Sequence, residues 1–291
     1  MSVDLGKSVF KAAAIQMQSG VDVARNIAAL RRLVREAATA GATYIQTPEM
    51  TGLLQKDRAQ LLHSLRDEVD DPVVNAAGEL AAEHNIYLHI GSTAIQRDDG
   101  RIANRSYLFG PNGQKITSYD KIHMFDVDLE NGESYRESSA YEAGSSAKVA
   151  HLPFASLGFA ICYDLRFPQL FRHEALNGAN VLTIPASFTK PTGEAHWEVL
   201  MRARAIENGA FVIAAAQAGK HEDGRETYGH SIIVDPWGRV LAMAGGNGEE
   251  VIFADIDVSL SAGARRMVPN LRNAREFELE VLDVQMQGTP A

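Results

Sequence analysis

Cys162, the only cysteine of the sequence, is the residue best suited to act as a nucleophile. An apolar run over residues 157–161 leads into it, and a helical pattern resumes at Phe167 and extends to about Leu176. We therefore predict that the thiol lies at a strand-to-helix junction, where unpaired N–H groups stabilise a developing negative charge. Position alone leaves a second interpretation open, because most free cysteines are small buried hydrophobic residues.

Glu49 and Lys121 also follow predicted strands. Glu49 comes after the strand at 43–47 and Pro48, which cannot donate a ladder hydrogen bond, and Lys121 lies in the segment 118–128. Taken singly, each is more often a solvated surface charge than a catalytic residue. Strand ends that meet at one edge of a sheet form a site, and a thiol, a carboxylate and an ammonium supply a nucleophile, a base and an oxyanion stabiliser for acyl transfer.

The composition limits the classes of partner. The chain has 291 residues, a mass of 31.6 kDa and 45% hydrophobic residues, enough for one large domain with a substantial core. A formal charge of −9 and a pI near 5.5 disfavour nucleic acid and anionic membranes as partners. One cysteine excludes an intrachain disulfide and a multi-cysteine metal site. No signal peptide or transmembrane pattern is evident, so we expect a cytoplasmic protein.

Helix-connected strands alternate with hairpins along the chain. Asp22 and Gly41 bound a predicted helix over 21–40, and Asp71 with Pro72 begins another that ends near His84. Residues 51–71 are assigned to a loop with a short helix, and 131–144 and 185–193 to further loops. Other predicted helices cover 167–176 and 194–208, and predicted strands cover 10–17, 43–47, 86–94, 102–109, 115–119, 148–152, 157–161, 180–184, 211–217, 231–234, 240–243 and 251–256.

We predict a single domain over residues 1–291. A strand–helix–strand pattern opens both the first third and the segment after Cys162, which indicates two sheets with helices outside them. The charged tail, about 266–291, has no regular pattern, and we expect it to extend toward a partner subunit.

Three motifs in order identify a family resemblance: TPEM around Glu49, YDKIHMFDVD around Lys121 and AICYDLRFP around Cys162. Together they resemble the nitrilase, or carbon–nitrogen hydrolase, superfamily, over nearly the whole chain to about Asn270. The resemblance implies an α/β fold, a four-layer α-β-β-α sandwich, and a Glu-Lys-Cys triad. It also implies the following roles: Glu49 as general base, Lys121 as oxyanion stabiliser, Cys162 as nucleophile, Glu137 as a second glutamate beside the lysine, and the N–H of Tyr163 as an oxyanion donor.

Two further stretches, TGEAHWEVLMRARAIENGAFVIAAAQ and YGHSIIVDPWG, resemble the Nit branch, which includes omega-amidases and deaminated-glutathione amidases. The resemblance implies a hydrolase that cleaves the C–N bond of a small linear amide through a thioester and releases ammonia. The resemblance also implies that the reaction needs no metal or organic cofactor and that the protein forms a homodimer or a higher homo-oligomer. Candidates for binding a carboxylate of the substrate are Arg166, which could instead pair with Asp164, and the 188–192 loop with Phe188, Thr189 and Thr192.

Other interpretations remain open. The chain could be a nitrilase acting on small nitriles, or an interaction protein that keeps the fold with an idle triad. An isochorismatase-like hydrolase is disfavoured, because such chains carry an aspartate in the first strand, where this sequence has Gln16. His196 and His230 fit hydrogen-bonded packing better than metal ligation.

Overall fold

The computed structural model describes residues 9–128, 132 and 134–282. The α-helices in this part of the chain are α1 (Val23–Thr39), α2 (Arg58–Ser64), α3 (Pro72–His84), α4 (Pro168–Leu176), α5 (Lys190–Asn208) and α6 (Ser259–Met267). The strands are β1 (Val9–Gln16), β2 (Tyr44–Gln46), β3 (Tyr87–Gln96), β4 (Ile102–Phe109), β5 (Lys115–Asp120), β6 (Asp126–Asp128), β7 (Ser134–Arg136), β8 (Val149–His151), β9 (Ser156–Phe159), β10 (Val181–Thr183), β11 (Phe211–Ala214), β12 (Ala218–Lys220), β13 (Glu226–Tyr228), β14 (Ile232–Val234), β15 (Val240–Met243) and β16 (Glu250–Asp257).

Two six-stranded sheets are built from the same series of strand pairings. The first has the order β16-β1-β2-β3-β4-β5 and the second the order β8-β9-β10-β11-β14-β15. In each, the successive pairs are antiparallel, parallel, parallel, antiparallel and antiparallel. The strand–helix–strand repeat expected from the sequence therefore corresponds to β1-α1-β2 in one sheet and β9-α4-β10 in the other.

Alternation along β1 shows how the layers pack. Ala12 and Ala14 belong to the hydrophobic cluster that includes the second sheet, whereas Ala13 and Ile15 pack in a separate cluster with residues of α1 and α3. Residues of α4 and α5, among them Phe171 and Trp197, join the cluster of the second sheet. The layers are thus helix, sheet, sheet and helix, so the predicted four-layer α-β-β-α sandwich is confirmed.

Several helix boundaries follow the local capping rules. The Asp22 carboxylate accepts a hydrogen bond from the Arg25 N–H at the start of α1, and Asp71 accepts from Val73 and Val74 at the start of α3. Asn85 ends α3 in the left-handed conformation, with φ 53°. The predicted helix starts at 21–22 and 71–72 are confirmed to within two residues.

Other predicted boundaries are wrong. The loop at 185–193 is shorter than expected, because Pro191 is compatible with a first helical turn and α5 already begins at Lys190. The tail does not become irregular at Arg265, since α6 continues to Met267. The strand expected over 211–217 ends at Ala214.

The segment expected to be a loop over 131–144 contains β7 and a 3-10 turn, Glu137–Ser139. Residues 129–131 and 133, and the end of the tail from 283 onward, lie outside the described residues. No helix in the described ranges has both the length and the apolar character needed to cross a lipid bilayer.

Candidate active site

Three loops that follow strands bring Glu49, Lys121 and Cys162 together. Glu49 follows β2, Lys121 directly follows β5 and Cys162 follows β9. The Lys121 ammonium lies 3.0 Å from Glu49 Oε1, and Cys162 lines the same cavity, where the charges of Glu49 and Lys121 both act on its thiol. All three residues are less than one tenth exposed. The three side chains proposed from the sequence therefore share one buried cluster.

Both oxygens of the Glu49 carboxylate are held by donors. Oε1 accepts from Lys121 Nζ at 3.0 Å and from Asn104 Nδ2 at 2.9 Å, and Oε2 accepts from the Ser187 N–H at 2.8 Å. The backbone is fixed as well, because Gln217 Nε2 donates to the Glu49 carbonyl at 3.0 Å. The carboxylate thus keeps one orientation toward the thiol.

A second glutamate completes the surroundings of Lys121. Lys121 Nζ lies 2.9 Å and 2.8 Å from the two oxygens of Glu137, one of which also accepts from the Phe125 N–H at 2.7 Å. Burial favours the neutral amine, but the negative charges of Glu137 and Glu49 outweigh it and raise the pKa of Lys121. The lysine is therefore a permanent cation able to stabilise an oxyanion and unsuited to act as a base.

Cys162 begins a 3-10 turn, Cys162–Arg166, with a positive φ of 48°. A residue with a Cβ rarely adopts this conformation, which directs the side chain out of the strand path into the cavity. The Cys162 N–H donates to the Pro185 carbonyl at 2.9 Å. Tyr163 comes second in the turn, where an N–H has no partner within the turn.

The environment of the thiol favours its protonated form. Burial raises the pKa of Cys162, and the negative charge of Glu49 raises it further, while Lys121 acts in the opposite direction. The resting cysteine is accordingly a neutral thiol in the same site as the Glu49 carboxylate. This arrangement suits removal of the proton by Glu49 when sulfur attacks a carbon centre.

A cavity of about 610 Å³ opens above the cluster. Phe188, Thr189 and Thr192 line it, together with the triad residues and Tyr163. Arg166 is not among the lining residues of this cavity. Its guanidinium lies 5.5 Å from the centre of the Phe188 ring and 3.2 Å from His196 Nδ1.

The cavity wall carries more cations than the acidic chain as a whole would suggest. Lys56, Arg58, Arg136 and Arg225 line it, and Glu226 is its only carboxylate outside the catalytic cluster among the described residues. Arg136 pairs with Asp128 and Arg225 with Asp223, whereas Lys56 and Arg58 form no ion pair within the described ranges. The wall can therefore attract an anionic group.

Sequence reasoning did not find Asn104, Ser187 or Gln217, although all three contact Glu49. Asn104 carried one signal, since asparagine is disfavoured inside a buried strand such as β4. The alternative partner suggested for Arg166 is not used, because Asp164 accepts hydrogen bonds from Tyr119 and His123 instead.

His230 takes the packing position expected for it, whereas His196 is exposed and contacts Arg166. His230 Nδ1 lies 2.7 Å from the Tyr228 carbonyl and its ring stacks on Tyr228. In the described part of the chain, no group of three or more histidine, cysteine or acidic side chains is arranged to bind a metal ion. The absence of a cofactor stays a prediction.

Sequence comparisons identify a protein family and several related proteins. A family model described as carbon-nitrogen hydrolase matches residues 11–266. A deaminated glutathione amidase of Yersinia enterocolitica is 39% identical over 234 residues, which cover 79% of this chain and 81% of that protein. The human omega-amidase NIT2 is 34% identical over 266 residues, covering 91% and 95%.

Solved structures agree with these matches. The NitFhit protein of C. elegans superposes with a TM-score of 0.85 and 32% identity, and the match covers 92% of this chain and 66% of that longer chain. Nit3 of Saccharomyces cerevisiae, a member of branch 10 of the nitrilase superfamily, gives a TM-score of 0.81 and 28% identity over 90% of this chain and 94% of its own.

Proposed function

The chain belongs to the carbon–nitrogen hydrolase family, and from this membership and the site geometry we propose that it is an amidase with Cys162 as nucleophile. One observation carries the proposal. In a single buried cluster, the Glu49 carboxylate pairs with the Lys121 ammonium at 3.0 Å, and the charges of both act on the thiol of Cys162, which lines the same cavity. Base, electrophilic stabiliser and nucleophile are thus gathered in one site, as covalent catalysis at a carbonyl requires.

Acylation begins when Glu49 accepts the thiol proton and the sulfur attacks the amide carbonyl carbon. The carbonyl electrons move to oxygen, and Lys121 with the Tyr163 N–H stabilises the resulting oxyanion. The oxyanion then re-forms the carbonyl, the C–N bond breaks and Glu49 returns the proton to the departing nitrogen. Ammonia leaves, and the acyl group remains on Cys162 as a thioester.

Deacylation repeats the same steps with water. Glu49 removes a proton from water as its oxygen attacks the thioester carbon, and the same donors stabilise the second oxyanion. The C–S bond breaks, and Glu49 returns the proton to sulfur. The product is a carboxylic acid, and the charge of the cluster is unchanged over the cycle.

The cations of the cavity wall support a substrate that carries a carboxylate at some distance from its amide. Lys56, Arg58, Arg136 and Arg225 offer that charge its partners. Two of the relatives are named deaminated glutathione amidase and omega-amidase. We therefore assign the substrate as an omega-amide of a dicarboxylic acid or deaminated glutathione. Arg166, which lies behind Phe188 and outside the cavity lining, stays a second candidate for binding this carboxylate.

Ammonia release from an amide panel tests the proposal. The panel contains succinamate, glutaramate and deaminated glutathione, with propionamide as a neutral amide and propionitrile as a nitrile. We expect release from the anionic amides, no release from the nitrile, and none from any compound with Cys162→Ala. A folded wild-type protein that releases ammonia from no amide would overturn the assignment.

The assembly is also part of the proposal. Large apolar side chains are exposed on α5 and the turn after β14, namely Val199, Ile206 and Trp237, and Phe277 and Leu279 are exposed in the tail. Such exposure supports a homodimer that covers these residues, with the tail extending toward the partner. A cytoplasmic location likewise remains a prediction.

A further inference from the structure

Asp164 is fully buried two residues after Cys162, and its hydrogen bonds extend to both sides of Lys121. Oδ2 accepts from the Tyr119 hydroxyl at 2.7 Å. Oδ1 accepts from the His123 N–H at 3.0 Å and lies 2.6 Å from His123 Nδ1. Tyr119 and His123 are the residues two positions before and two positions after the lysine, so one carboxylate holds both ends of the lysine segment.

The same carboxylate also closes the turn that presents the thiol. Oδ2 accepts from the Ile161 N–H at 2.9 Å, and the Asp164 N–H donates to the Ile161 carbonyl at 3.0 Å. Ile161 immediately precedes Cys162. The nucleophile turn and the lysine segment come from different sheets, and this carboxylate is hydrogen-bonded to both.

The His123 ring is itself held in place from the cysteine side. It stacks on Phe167, with ring centroids 3.5 Å apart and an angle of 8° between the planes. Nδ1 donates to Asp164, and this hydrogen bond together with the stacking on Phe167 sets the orientation of the His123 ring. Within the described residues, none of these side chains forms a hydrogen bond with the thiol or the Lys121 ammonium, so their influence on the reaction passes through the backbone.

We propose that Asp164, through Tyr119 and His123, is a positioning residue that fixes the Cys162 sulfur relative to the Lys121 ammonium. The inference rests on the proposed function, because the distance between nucleophile and oxyanion stabiliser matters for acyl transfer. Misplacement of reacting groups by about 1 Å reduces a rate by roughly a hundredfold. An amide in place of the carboxylate turns an N–H toward at least one of the donors, so the lysine segment and the cysteine turn separate.

The test uses Asp164→Asn in the full chain with two readouts. The first is hydrolysis of an amide that the wild type cleaves, for which we expect kcat to fall by about tenfold to a hundredfold while KM changes by less than about threefold. The second is the rate of iodoacetamide labelling, which reports on Cys162 alone because the chain has one cysteine. We expect labelling to slow by about fivefold or more, since a displaced thiol no longer delivers its proton to Glu49.

Asp235→Asn is the matched control. Asp235 is also buried and its carboxylate accepts from the N–H groups of Trp237 and Arg239 in the turn after β14, away from the cavity lining. A loss of stability without a change of kcat or labelling rate is expected there. Wild-type kcat and labelling rate in a folded Asp164→Asn protein would overturn the positioning role.

Replacements of the partly exposed His123 keep the proposal testable if Asp164→Asn does not fold. His123→Asn retains a side-chain N–H at the position of Nδ1, and we expect near wild-type kcat and labelling. His123→Leu removes that donor and we expect both rates to fall by about tenfold. Equal rates for the two variants would contradict the proposal. If wild type hydrolyses no amide, the proposed function fails, while the labelling rates still decide the positioning role.

Discussion

The Ser187 N–H donates to Oε2 of Glu49 at 2.8 Å, and this bond joins a loop of the second sheet to a carboxylate of the first. The other oxygen is held by Lys121 and Asn104. Glu49 therefore lies at the junction of the two sheets, in the same cavity as the thiol of Cys162. A base held in this way loses little time in unproductive orientations.

Replacement of Glu49 by glutamine removes the base while preserving size. We expect kcat to fall by about a thousandfold, within the range typical of general acid–base groups, with the fold retained. Ammonia release and circular dichroism measure the two effects. Glu226→Gln is the control, because Glu226 lines the same cavity but pairs with Lys190. A Glu49→Gln protein with more than about a tenth of wild-type kcat would contradict the role of Glu49 as base.

Variants of Asn104 test whether Glu49 and Glu137 need the neutral hydrogen-bond donor that they share. The side-chain Nδ2 of Asn104 lies 2.9 Å from Glu49 Oε1 and 3.1 Å from Glu137 Oε1. The backbone carbonyl of Asn104 accepts a hydrogen bond from the Lys121 N–H. Asn104→Leu removes the donor, and Asn104→Asp places a third carboxylate beside two others. We expect kcat to fall by about tenfold for leucine and by about a hundredfold or more for aspartate, because like charges repel strongly when buried.

The order of the two Asn104 variants decides between two explanations. If aspartate is more damaging than leucine, charge balance around Lys121 controls the rate. If leucine and aspartate are equally damaging, loss of the amide donor alone explains the lower rate, and the electrostatic explanation is wrong.

The cationic wall predicts a selective effect on binding. Arg58→Gln and Arg225→Gln remove cations that line the cavity, and we expect KM for succinamate to rise about threefold to tenfold in each. KM for propionamide, which has no carboxylate, should stay within about twofold. Arg166→Gln is measured alongside, because its guanidinium contacts Phe188 from outside the cavity lining. A rise confined to Arg166→Gln would make Arg166 the anchor and exclude the wall cations from that role.

The sequence predicted that Cys162, Glu49 and Lys121 lie together, which the structure shows, but it did not predict the residues that hold them. Each of the three is ambiguous alone, and the order of the three motifs that contain them is what made the prediction possible. Asn104, Ser187 and Gln217 contact Glu49 from 55, 138 and 168 residues away along the chain. Asn104 carried only the sign of an asparagine inside a buried strand, and Ser187 and Gln217 carried none, since their contacts with Glu49 exist only once the two sheets pack.

The fold shows the same division between local and long-range information. Capping residues such as Asp22 and Asp71 act within one helical turn, so the starts of α1 and α3 could be predicted closely. The start of α5 was missed because Thr189 makes no side-chain capping bond, and the prediction relied on the apolar pattern that begins later. Helix α6 was missed because its packing depends on contacts such as that of Ser261 with the Gly209 carbonyl, which the local pattern does not encode.

A homodimer is predicted to bury the exposed apolar face of α5. Val199 is 68% exposed on that helix, and Val69, in the loop before α3, is 81% exposed. We expect light scattering to give about twice the monomer mass for wild type and for Val69→Glu, and a lower mass for Val199→Glu, because a buried unpaired carboxylate disfavours association. A wild-type monomer, or a Val199→Glu protein of unchanged mass, would contradict this interface.

Stability in acid depends on His89, which lies between the two sheets. The Ser106 hydroxyl donates to the Ile90 carbonyl at 3.1 Å and lies 2.7 Å from His89 Nε2, so Nε2 carries the hydrogen. His89 Nδ1 then accepts from the Tyr44 hydroxyl at 2.7 Å. Both nitrogens are used by the neutral ring, and burial lowers the pKa of His89 to about 3.

A lowered histidine pKa stabilises the fold above the pKa of the unfolded chain, about 6.5, and the contribution is lost as the pH falls from there toward 3. Between pH 6.5 and 3, we expect protonation linked to His89 to lower the free energy of unfolding by roughly 1.4 kcal/mol for each unit by which the pH falls. His89→Gln should be less stable than wild type at pH 7.5 by about 1 to 3 kcal/mol, because it loses well-formed buried hydrogen bonds. Since glutamine does not titrate, the difference should shrink as the pH falls to 5. Urea unfolding at pH 7.5, 6 and 5 measures it, and a difference that stays constant with pH would show that His89 does not carry the acid sensitivity.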